Sequence, residues 1–370
     1  MRNMERKIKV GIVGCGNISG IYFENLTKVF KNLEVVACSD IIEERRKEAS
    51  EKYGVKACTT EEILANNEIE IVVNLTIPAL HYEVSKAVLS AGKNVYLEKP
   101  LSITREQGRE LLELADKKNL LVGCAPDTFL GGGIQTCIKL INDGWIGDIL
   151  SANAFMTCHG HESWHPDPEF YYKTGGGPMF DMGPYYLTAL IALAGSIKSV
   201  SAITKMGFSE RTITSEKKFG QKVEVEVPTH IAGLMEFENG AAGTIITSFD
   251  VWGAELPRIE IHGTKGSISV PDPNTFGGPV KIKCANHSGW QEMPLSHIYS
   301  ENSRGLGVSD MADSLLSNRK NRVSGELAYH VLDVMHAFHD SSNLKKHVEI
   351  ESKCEKPAPL DIGLNKGFVR

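Results

Sequence analysis

The stretch KIKVGIVGCGNIS, residues 7–19, decides the fold. Its first seven residues are mostly apolar, which is typical of a buried parallel strand. The next six resemble the glycine loop GxGxxG, with Ser19 at the third glycine position. Gly14 permits a tight turn, Gly16 lets the backbone approach a pyrophosphate, and the following helix offers N–H groups to phosphates. The dinucleotide contacts predicted here are Gly14, Gly16, Asn17 and Ile18.

A carboxylate follows the second strand. Residues 34–39 (EVVACS) end at Asp40, close to the position at which an acid meets the adenosine ribose hydroxyls in such folds. A carboxylate there would repel a 2′-phosphate, so we predict NAD rather than NADP as the cofactor. The alternative role for Asp40 is a turn residue or helix cap, which would leave the cofactor choice open.

Strands and helices continue to alternate after Asp40. A helix over 43–53, a strand over 69–75, a strand over 95–97 and a strand over 120–124 are separated by further helical segments. This pattern predicts an α/β Rossmann domain, a doubly wound parallel sheet over residues 1–125. Polar residues at the same predicted sheet edge are assigned to the cofactor: Asn74, Thr76 and His81. For His81, an ordinary surface histidine is an equal alternative.

The strand at 95–97 ends in Glu98-Lys99-Pro100. Open α/β sheets bind their ligands at the carboxyl ends of the strands, which is where Lys99 lies. Pro100 restricts Lys99 to an extended backbone and cannot extend a central strand. We therefore predict that Lys99 meets the substrate; the alternative is a solvated surface lysine.

Composition narrows the class of protein. The chain has 370 residues, 42% hydrophobic and 23% charged, with a net charge of -6, which predicts two globular domains. No dense Lys/Arg run is present, so we expect neither a nucleic acid nor a membrane as partner. The N-terminus is charged (Arg2, Glu5) and has no apolar leader pattern. The eight cysteines are scattered, so we expect free thiols in a reducing cytosol.

From residue 126 the pattern changes to strands, and we assign residues 126–370 to a second, α+β domain. Its largely antiparallel open sheet is predicted from strands at 150–158, 197–205, 223–227, 230–237, 241–249, 258–262, 266–270 and 279–284. Residues 325–340 have apolar side chains at helical spacing, which indicates an amphipathic helix. Three histidines on that helix are predicted to be solvated: His330, His336 and His339.

A polar, aromatic run, HGHESWHPDPEFYY at 159–172, separates the first two of these strands. Two prolines and an interrupted periodicity indicate a loop, and loops often carry binding groups. Trp164 between His161 and His165 suits a sugar, because its ring stacks on the apolar sugar face while the imidazoles bond hydroxyls. The alternatives are a metal site, which hydride transfer does not require, and a purely structural loop.

A second polar pair follows in GGGPMFDMGPYYL, residues 175–187. If the segment is helical from Pro178, Asp181 and Tyr185 lie one turn apart on one face. Pro184 interrupts such a helix, and a helix that begins only at Pro184 still keeps the two side chains close. The alternatives are a helix cap for Asp181 and an aromatic core residue for Tyr185.

The glycine loop at 11–16, the stretch at 74–100 and the stretch at 175–187 together resemble the Gfo/Idh/MocA family of sugar and polyol oxidoreductases. The resemblance extends over nearly the whole chain. It implies that Lys99 lies near the nicotinamide and the reacting hydroxyl, and that Glu98 contacts the cofactor ribose. The family usually has an aspartate, three further residues and then a histidine, which is the presumed acid/base. Asp181 matches the aspartate here, and Tyr185 occupies the histidine position.

The resemblance implies an NAD-dependent enzyme that oxidises a secondary hydroxyl of a sugar, glycoside or polyol to a ketone, or runs the reverse. Lys99, assisted by Tyr185 or Asp181, is predicted to move the proton, with a Tyr185 and Lys99 pair accepting it near neutral pH. The alternatives are a glycoside-cleaving enzyme that oxidises its substrate transiently and a non-catalytic NAD sensor. A homodimer or homotetramer through the open sheet face is also implied. The predicted substrate contacts are Asp127, His161, Trp164, His165 and Tyr185.

Overall fold

The computed structural model describes residues 6–286 and 288–369. Residues 1–5, including Arg2 and Glu5, on which part of the expectation about the N-terminus depends, lie outside the described residues. All eight cysteines are free thiols. Within the described residues, no helix is both long and apolar enough to cross a membrane.

Six strands in the described part of the chain form the first sheet, and all of them are parallel. Their order, β3-β2-β1-β4-β5-β6, is that of the Rossmann fold, so the prediction for this half is confirmed. The central strands are buried on both faces, as their continuous apolar sequences require. The strands are β1 (Ile8–Val13), β2 (Leu33–Ser39), β3 (Lys56–Ala57), β4 (Ile71–Asn74), β5 (Asn94–Leu97) and β6 (Val122–Cys124).

Helices connect these strands. Thr59 caps the third helix in a reciprocal capping box with Glu62, and Gly54 ends the second in the left-handed conformation. These helices are α1 (Ser19–Lys28), α2 (Glu43–Tyr53), α3 (Thr60–Ala65), α4 (His81–Ser90) and α5 (Arg105–Lys118).

The second half, as far as it is described, contains a nine-stranded sheet in the order β16-β15-β14-β13-β7-β12-β11-β8-β17. All neighbouring pairs are antiparallel except β7 with β12, which confirms the largely antiparallel prediction. β9 and β10 form a separate two-stranded ribbon. The strands are β7 (Ile149–Thr157), β8 (Ile197–Lys205), β9 (Glu210–Thr212), β10 (Lys222–Glu224), β11 (His230–Phe237), β12 (Ala242–Ser248), β13 (Ile259–Gly263), β14 (Gly266–Val270), β15 (Val280–Cys284), β16 (Gln291–Met293) and β17 (Val348–Glu349).

The helices of this half are α6 (Gly132–Asn142), α7 (Gly177–Asp181), α8 (Gly183–Ala194), α9 (Leu306–Ser317) and α10 (Gly325–Leu344). The segment around Pro184 is broken into α7 and α8 at Met182, and Pro184 lies in the first turn of α8, where its missing N–H costs nothing. The boundary between domains at residues 125 and 126 stays a prediction.

The prediction that the α10 histidines are solvated is wrong. His330 is fully buried, and its Nε2 accepts the N–H of Ile197 at 3.1 Å. His336 bonds the carbonyl of Ile103 at 3.0 Å through Nε2, and Nε2 of His339 is buried without a partner. The reason is that α10 packs against β8, α8 and α5, so it is covered on more than one face.

Candidate active site

The glycine loop between β1 and α1 has the geometry that a pyrophosphate requires. Gly14 adopts φ +101°, and a Cβ on it would lie 2.7 Å from the carbonyl carbon of Leu75, so only glycine fits. A Cβ on Gly16 would point into open space. Ser19 fits the third glycine position because its hydroxyl donates to the carbonyl of Gly16 at 2.7 Å.

The start of α1 is available to an anion. Ile18 precedes the helix and its side chain makes no capping bond, so the first N–H groups of α1 stay without a side-chain acceptor. Asp40 lies beside the loop, where its carboxylate accepts the N–H of Cys15 and of Ile42, both at 2.8 Å. Asp40 is thus a turn residue as well as a neighbour of the loop. The donor set fits the pyrophosphate and ribose of NAD, while the contacts of Asn17, Ile18 and Asp40 with it stay predictions.

Three of the residues assigned to the cofactor are bonded to one another, and the cofactor contacts of Asn74 and Thr76 stay predictions. The buried amide of Asn74 donates to the carbonyl of His81 and the hydroxyl of Ser85, both at 3.1 Å, and accepts the hydroxyl of Thr76 at 2.7 Å. The ring of His81, also fully buried, contacts the carbonyls of Pro100 at 2.7 Å and Thr76 at 2.9 Å. The two side chains hold the strand ends together, and His81 is neither a surface residue nor placed to bind a cofactor.

Glu98 is buried next to this group. Its carboxylate accepts the hydroxyl of Tyr22 at 2.8 Å and the N–H of Lys99 at 3.1 Å. These bonds fix the direction in which the chain leaves β5. The ribose contact implied for Glu98 stays a prediction.

Lys99 meets Asp181 at the carboxyl end of β5. Its Nζ donates to the carboxylate at 2.8 Å and to the backbone carbonyl of Asp181 at 2.7 Å. The other carboxylate oxygen of Asp181 lies 3.1 Å from Nε2 of His161. The structure therefore joins three predicted residues from three distant segments into one cluster, Lys99–Asp181–His161.

The charges within this cluster stabilise each other. Burial alone would lower the pKa of Lys99, but the charge of Asp181 and the nearby Tyr185 raise it well above its ordinary value. Burial alone would raise the pKa of Asp181, but the charge of Lys99 and the hydrogen bond from His161 hold it at about 2. At neutral pH the cluster contains an ammonium and a carboxylate.

Tyr185 lies beside Lys99, with its ring centroid 5.2 Å from Nζ. Burial raises the pKa of its phenol despite the opposing charges of Lys99 and Arg304. The expectation that a Tyr185 and Lys99 pair accepts a proton near neutral pH is therefore wrong, because the pKa of both groups is raised and both already carry their proton. Tyr185 is a phenol, and thus a hydrogen-bond donor, in the described structure.

The three histidines of the 159–172 loop do not converge. His159 stacks on Trp252 with ring centroids 3.4 Å apart, His161 contacts Asp181, and Nδ1 of His165 accepts the N–H of Asp167 at 3.1 Å. Among the residues that the structure describes, no group of three His, Cys, Asp or Glu side chains is arranged to hold a metal. Trp164, 60% exposed, borders His161 and His165 with ring centroids 5.3 Å from each.

Arg211, on β9, supports the loop from below and was not predicted. Its guanidinium, 4% exposed, binds Glu162 at 2.7 Å, Asp250 at 2.9 Å and the carbonyl of His159 at 3.0 Å. Tyr172 donates a further bond to Glu162. An arginine within the charged sequence Glu210-Arg211-Thr212 looks exposed, so the local sequence contains no signal of this burial.

Arg304 was also missed. Its guanidinium donates to Asn274 at 2.7 Å and interacts with the phenol of Tyr185. Gly305, which follows it, adopts φ +96° and turns the chain into α9, but the local sequence contains no signal that Arg304 faces Tyr185.

The prediction that Asp127 contacts the substrate is wrong. It is 1% exposed, and one of its oxygens accepts the N–H groups of Gly305 and Gly307, both at 2.9 Å. Burial raises its pKa to about 6, with only partial opposition from the Gly307 amide and the charge of Arg304. Asp127 therefore closes the first turn of α9.

Two family models match the chain. Residues 8–125 match the oxidoreductase family with an NAD-binding Rossmann fold, and residues 134–269 match the Gfo/Idh/MocA C-terminal domain. An uncharacterized oxidoreductase of Bacillus subtilis, YfiI, is 30% identical over 301 residues, or 72% of this chain and 71% of that protein. The D-glucoside 3-dehydrogenase of Escherichia coli is 27% identical over 93% of this chain and 97% of its own.

Solved structures share the fold. Levoglucosan dehydrogenase in complex with NADH and L-sorbose has a TM-score of 0.79 and 20% identity, covering 94% of this chain and 99% of that one. An NAD-binding oxidoreductase from Klebsiella pneumoniae has a TM-score of 0.81 and 18% identity, covering 94% and 100%. With both family models and the relative at 30% identity, the chain belongs to the Gfo/Idh/MocA family of NAD-binding oxidoreductases.

Proposed function

We propose that this oxidoreductase uses NAD to oxidise a secondary hydroxyl of a sugar, glycoside or polyol to a ketone, or runs the reverse reaction. The observation that carries the proposal is the Lys99–Asp181–His161 cluster, which lies at the same sheet edge as the glycine loop. Ligands of open α/β sheets bind at this edge. A charged donor beside a reacting hydroxyl favours the oxidation, because negative charge develops on that oxygen.

When bound, NAD supplies the hydride acceptor. Lys99 stays an ammonium because Asp181 raises its pKa, so its role is to hold the hydroxyl oxygen and stabilise the developing charge. Tyr185, whose ring centroid lies 5.2 Å from Nζ of Lys99, stays a phenol because burial raises its pKa, so its role is to offer a second hydrogen bond to that oxygen. Asp181 orients Lys99 through two contacts, at 2.7 Å and 2.8 Å.

The carbohydrate substrate class is supported by the loop over the cluster. Trp164 offers an exposed ring for an apolar sugar face, and the imidazoles of His161 and His165 flank it. Relatives named for levoglucosan and for D-glucosides agree with this class.

The preference for NAD over NADP is proposed from Asp40. Its carboxylate lies against the glycine loop, at the N–H of Cys15, and would repel a 2′-phosphate. Turnover efficiency with each cofactor tests this, and Asp40→Ser is expected to narrow the difference. Equal efficiency with NAD and NADP in the unmodified protein would contradict it.

The decisive assay mixes the purified protein with NAD and a panel of sugars, inositols and glycosides. We expect NADH absorbance and a matching ketone product from at least one of them, and neither from Lys99→Met. Release of the aglycone without accumulation of NADH would instead identify the glycoside-cleaving alternative. If no member of the panel gives NADH or a product, the proposed function fails.

Self-association through the open face of the large sheet is proposed as well. Ile203 on β8 and Leu234 on β11 are 75% and 60% exposed on this face. A second copy would cover both, and light scattering should give a dimer or tetramer that Leu234→Asp weakens.

A cytosolic location is proposed from the eight free thiols and is tested by cell fractionation.

A further inference from the structure

His161 has the surroundings of a fixed imidazole. It is 9% exposed, and Tyr171, Phe249 and Trp164 contact its ring, with centroids 4.4 Å, 4.6 Å and 5.3 Å away. Nε2 lies 3.1 Å from the carboxylate of Asp181. Three aromatic contacts and one polar anchor leave this ring a single orientation.

The carboxylate sets the tautomer of the ring. An ionised carboxylate only accepts hydrogen bonds, so Nε2 carries the hydrogen and the lone pair of the neutral ring lies on Nδ1. Nδ1 of His161 makes no hydrogen bond with any described residue. In contrast to Nδ1 of His159, which is buried without a partner, it is not sealed from solvent.

The loop that carries His161 is also held rigidly. Glu162, the next residue, binds Arg211 through its side chain, and its backbone carbonyl accepts the N–H groups of Thr214 and Ser215, both at 2.9 Å. A further bond joins the hydroxyl of Ser215 to the carbonyl of His165 at 2.8 Å. Such support keeps a reacting group in place, which a general base requires.

We propose that His161 is the general base of the reaction and accepts the hydroxyl proton on Nδ1, a role that rests on the proposed dehydrogenase function. The O–H bond breaks, its proton passes to Nδ1, and the electron pair on oxygen forms the carbonyl as hydride leaves the carbon for NAD. Asp181 stabilises the imidazolium that forms, and Lys99 stabilises the oxygen. Lys99 does not compete for the proton, because it already carries one.

The charged and titratable groups that face His161 come from several segments. Asp181 and, behind it, Lys99 lie on one side of the ring. Tyr171 packs on it, and His165 is close enough to interact with it electrostatically. His165 is therefore the competing base and serves as the matched control.

The test compares His161→Gln with His165→Gln. Glutamine at 161 keeps a donor for Asp181 but has no basic nitrogen. We expect the kcat of His161→Gln to fall roughly 10²- to 10⁴-fold and its pH-rate profile to lose the acid limb. We expect His165→Gln to keep that limb, and both variants to bind NADH, measured by fluorescence quenching, within about threefold of the unmodified protein.

Retention of the acid limb in His161→Gln, or its loss only in His165→Gln, would overturn the proposal. A readout without turnover is NMR of the protein labelled with ¹⁵N-histidine, in which the His161 signals are those missing from His161→Gln. We expect the Nε2–H tautomer with an unprotonated Nδ1 at neutral pH. The Nδ1–H tautomer would refute the base role even if no substrate is found, whereas failure of the substrate panel alone refutes only the proposed dehydrogenase.

Discussion

Asp127 and Asp181 are both buried carboxylates, and both were predicted to belong to the site, yet their environments differ in kind. Asp181 has an ammonium on one oxygen and an imidazole on the other, and its pKa is held at about 2. Asp127 has only the amides of Gly305 and Gly307 and the more distant charge of Arg304, and its pKa is raised to about 6. At Asp181 the direct charged partner outweighs the cost of burial, whereas at Asp127 the burial that raises the pKa outweighs the two amide hydrogen bonds that lower it.

A second contrast separates Asn74 and His81, at the edge of the first sheet, from His161 in the loop after β7. The polar atoms of Asn74 and His81 are all used within the protein, whereas His161 keeps one nitrogen open. Position at a strand end thus selects candidates, and the structure shows which of them have polar atoms that are not already bonded within the protein.

The largest effect is expected from Lys99→Met. Loss of the ammonium removes the charge that stabilises the reacting oxygen, so kcat should fall about 10³-fold, with NADH affinity nearly unchanged. The matched control is Lys93→Met at the other end of β5. Lys93 is also buried, but it donates to the backbone carbonyls of Asn66 and Ile69, so its loss should lower the melting temperature and leave kcat per folded molecule within about twofold. Equal kcat losses in the two variants would contradict the assignment.

The second-largest effect is expected on the stability of the fold, to which Asp127 makes a contribution that depends on pH. Its folded pKa of about 6 lies above the unfolded value, so its contribution is fully present below about pH 4 and is lost as pH rises through 6. The loss amounts to about 3 kcal/mol. In Asp127→Asn this pH dependence should vanish, which urea unfolding at about pH 4, 6 and 8 measures. A variant that loses stability in parallel with the unmodified protein would show that the carboxyl group is not responsible.

The pH dependence of stability that Asp181 contributes should have the opposite sign and a smaller size. Its folded pKa of about 2 lies below the unfolded value, so its contribution is present above about pH 4 and is lost as pH falls towards 2. The loss is about 2 kcal/mol. Asp181→Asn should remove this acid-side dependence while Asp127→Asn retains it. If both variants behave alike below about pH 4, the proposed difference between the two carboxylates is wrong.

Most of the fold followed from local patterns. The glycine loop and the alternation of strands and helices predicted the Rossmann sheet. Alternating apolar and polar residues predicted seven strands of the large sheet, each within a few residues of its observed bounds. The short strands β9, β16 and β17 were not predicted, because two or three residues contain too little periodicity to read.

The site was harder to predict because its partners are distant in sequence. Asp127 contacts amides 178 and 180 residues further along, and Arg211 contacts a carboxylate 49 residues before it. The motifs predicted Lys99 and Asp181 as site residues, with Tyr185 close to Asp181. Their spacing contains no information on which side chain a long loop places against Asp181. His161 was therefore predicted as a sugar contact, and its bond to Asp181 emerged only from the structure.

The smallest effect is expected from Tyr185→Phe. Burial raises the pKa of this phenol, so Tyr185 contributes a neutral hydrogen bond, whose loss should lower kcat by about tenfold or less. The pH-rate profile between about pH 6 and 9 should keep its shape, since no group that titrates there is removed. Tyr186→Phe is the matched control, because the neighbouring phenol is buried near Arg258, away from Lys99. If Tyr185→Phe instead removes a limb of the profile that Tyr186→Phe retains, the proton passes through Tyr185, and the cluster of Lys99, Asp181 and His161 only positions it.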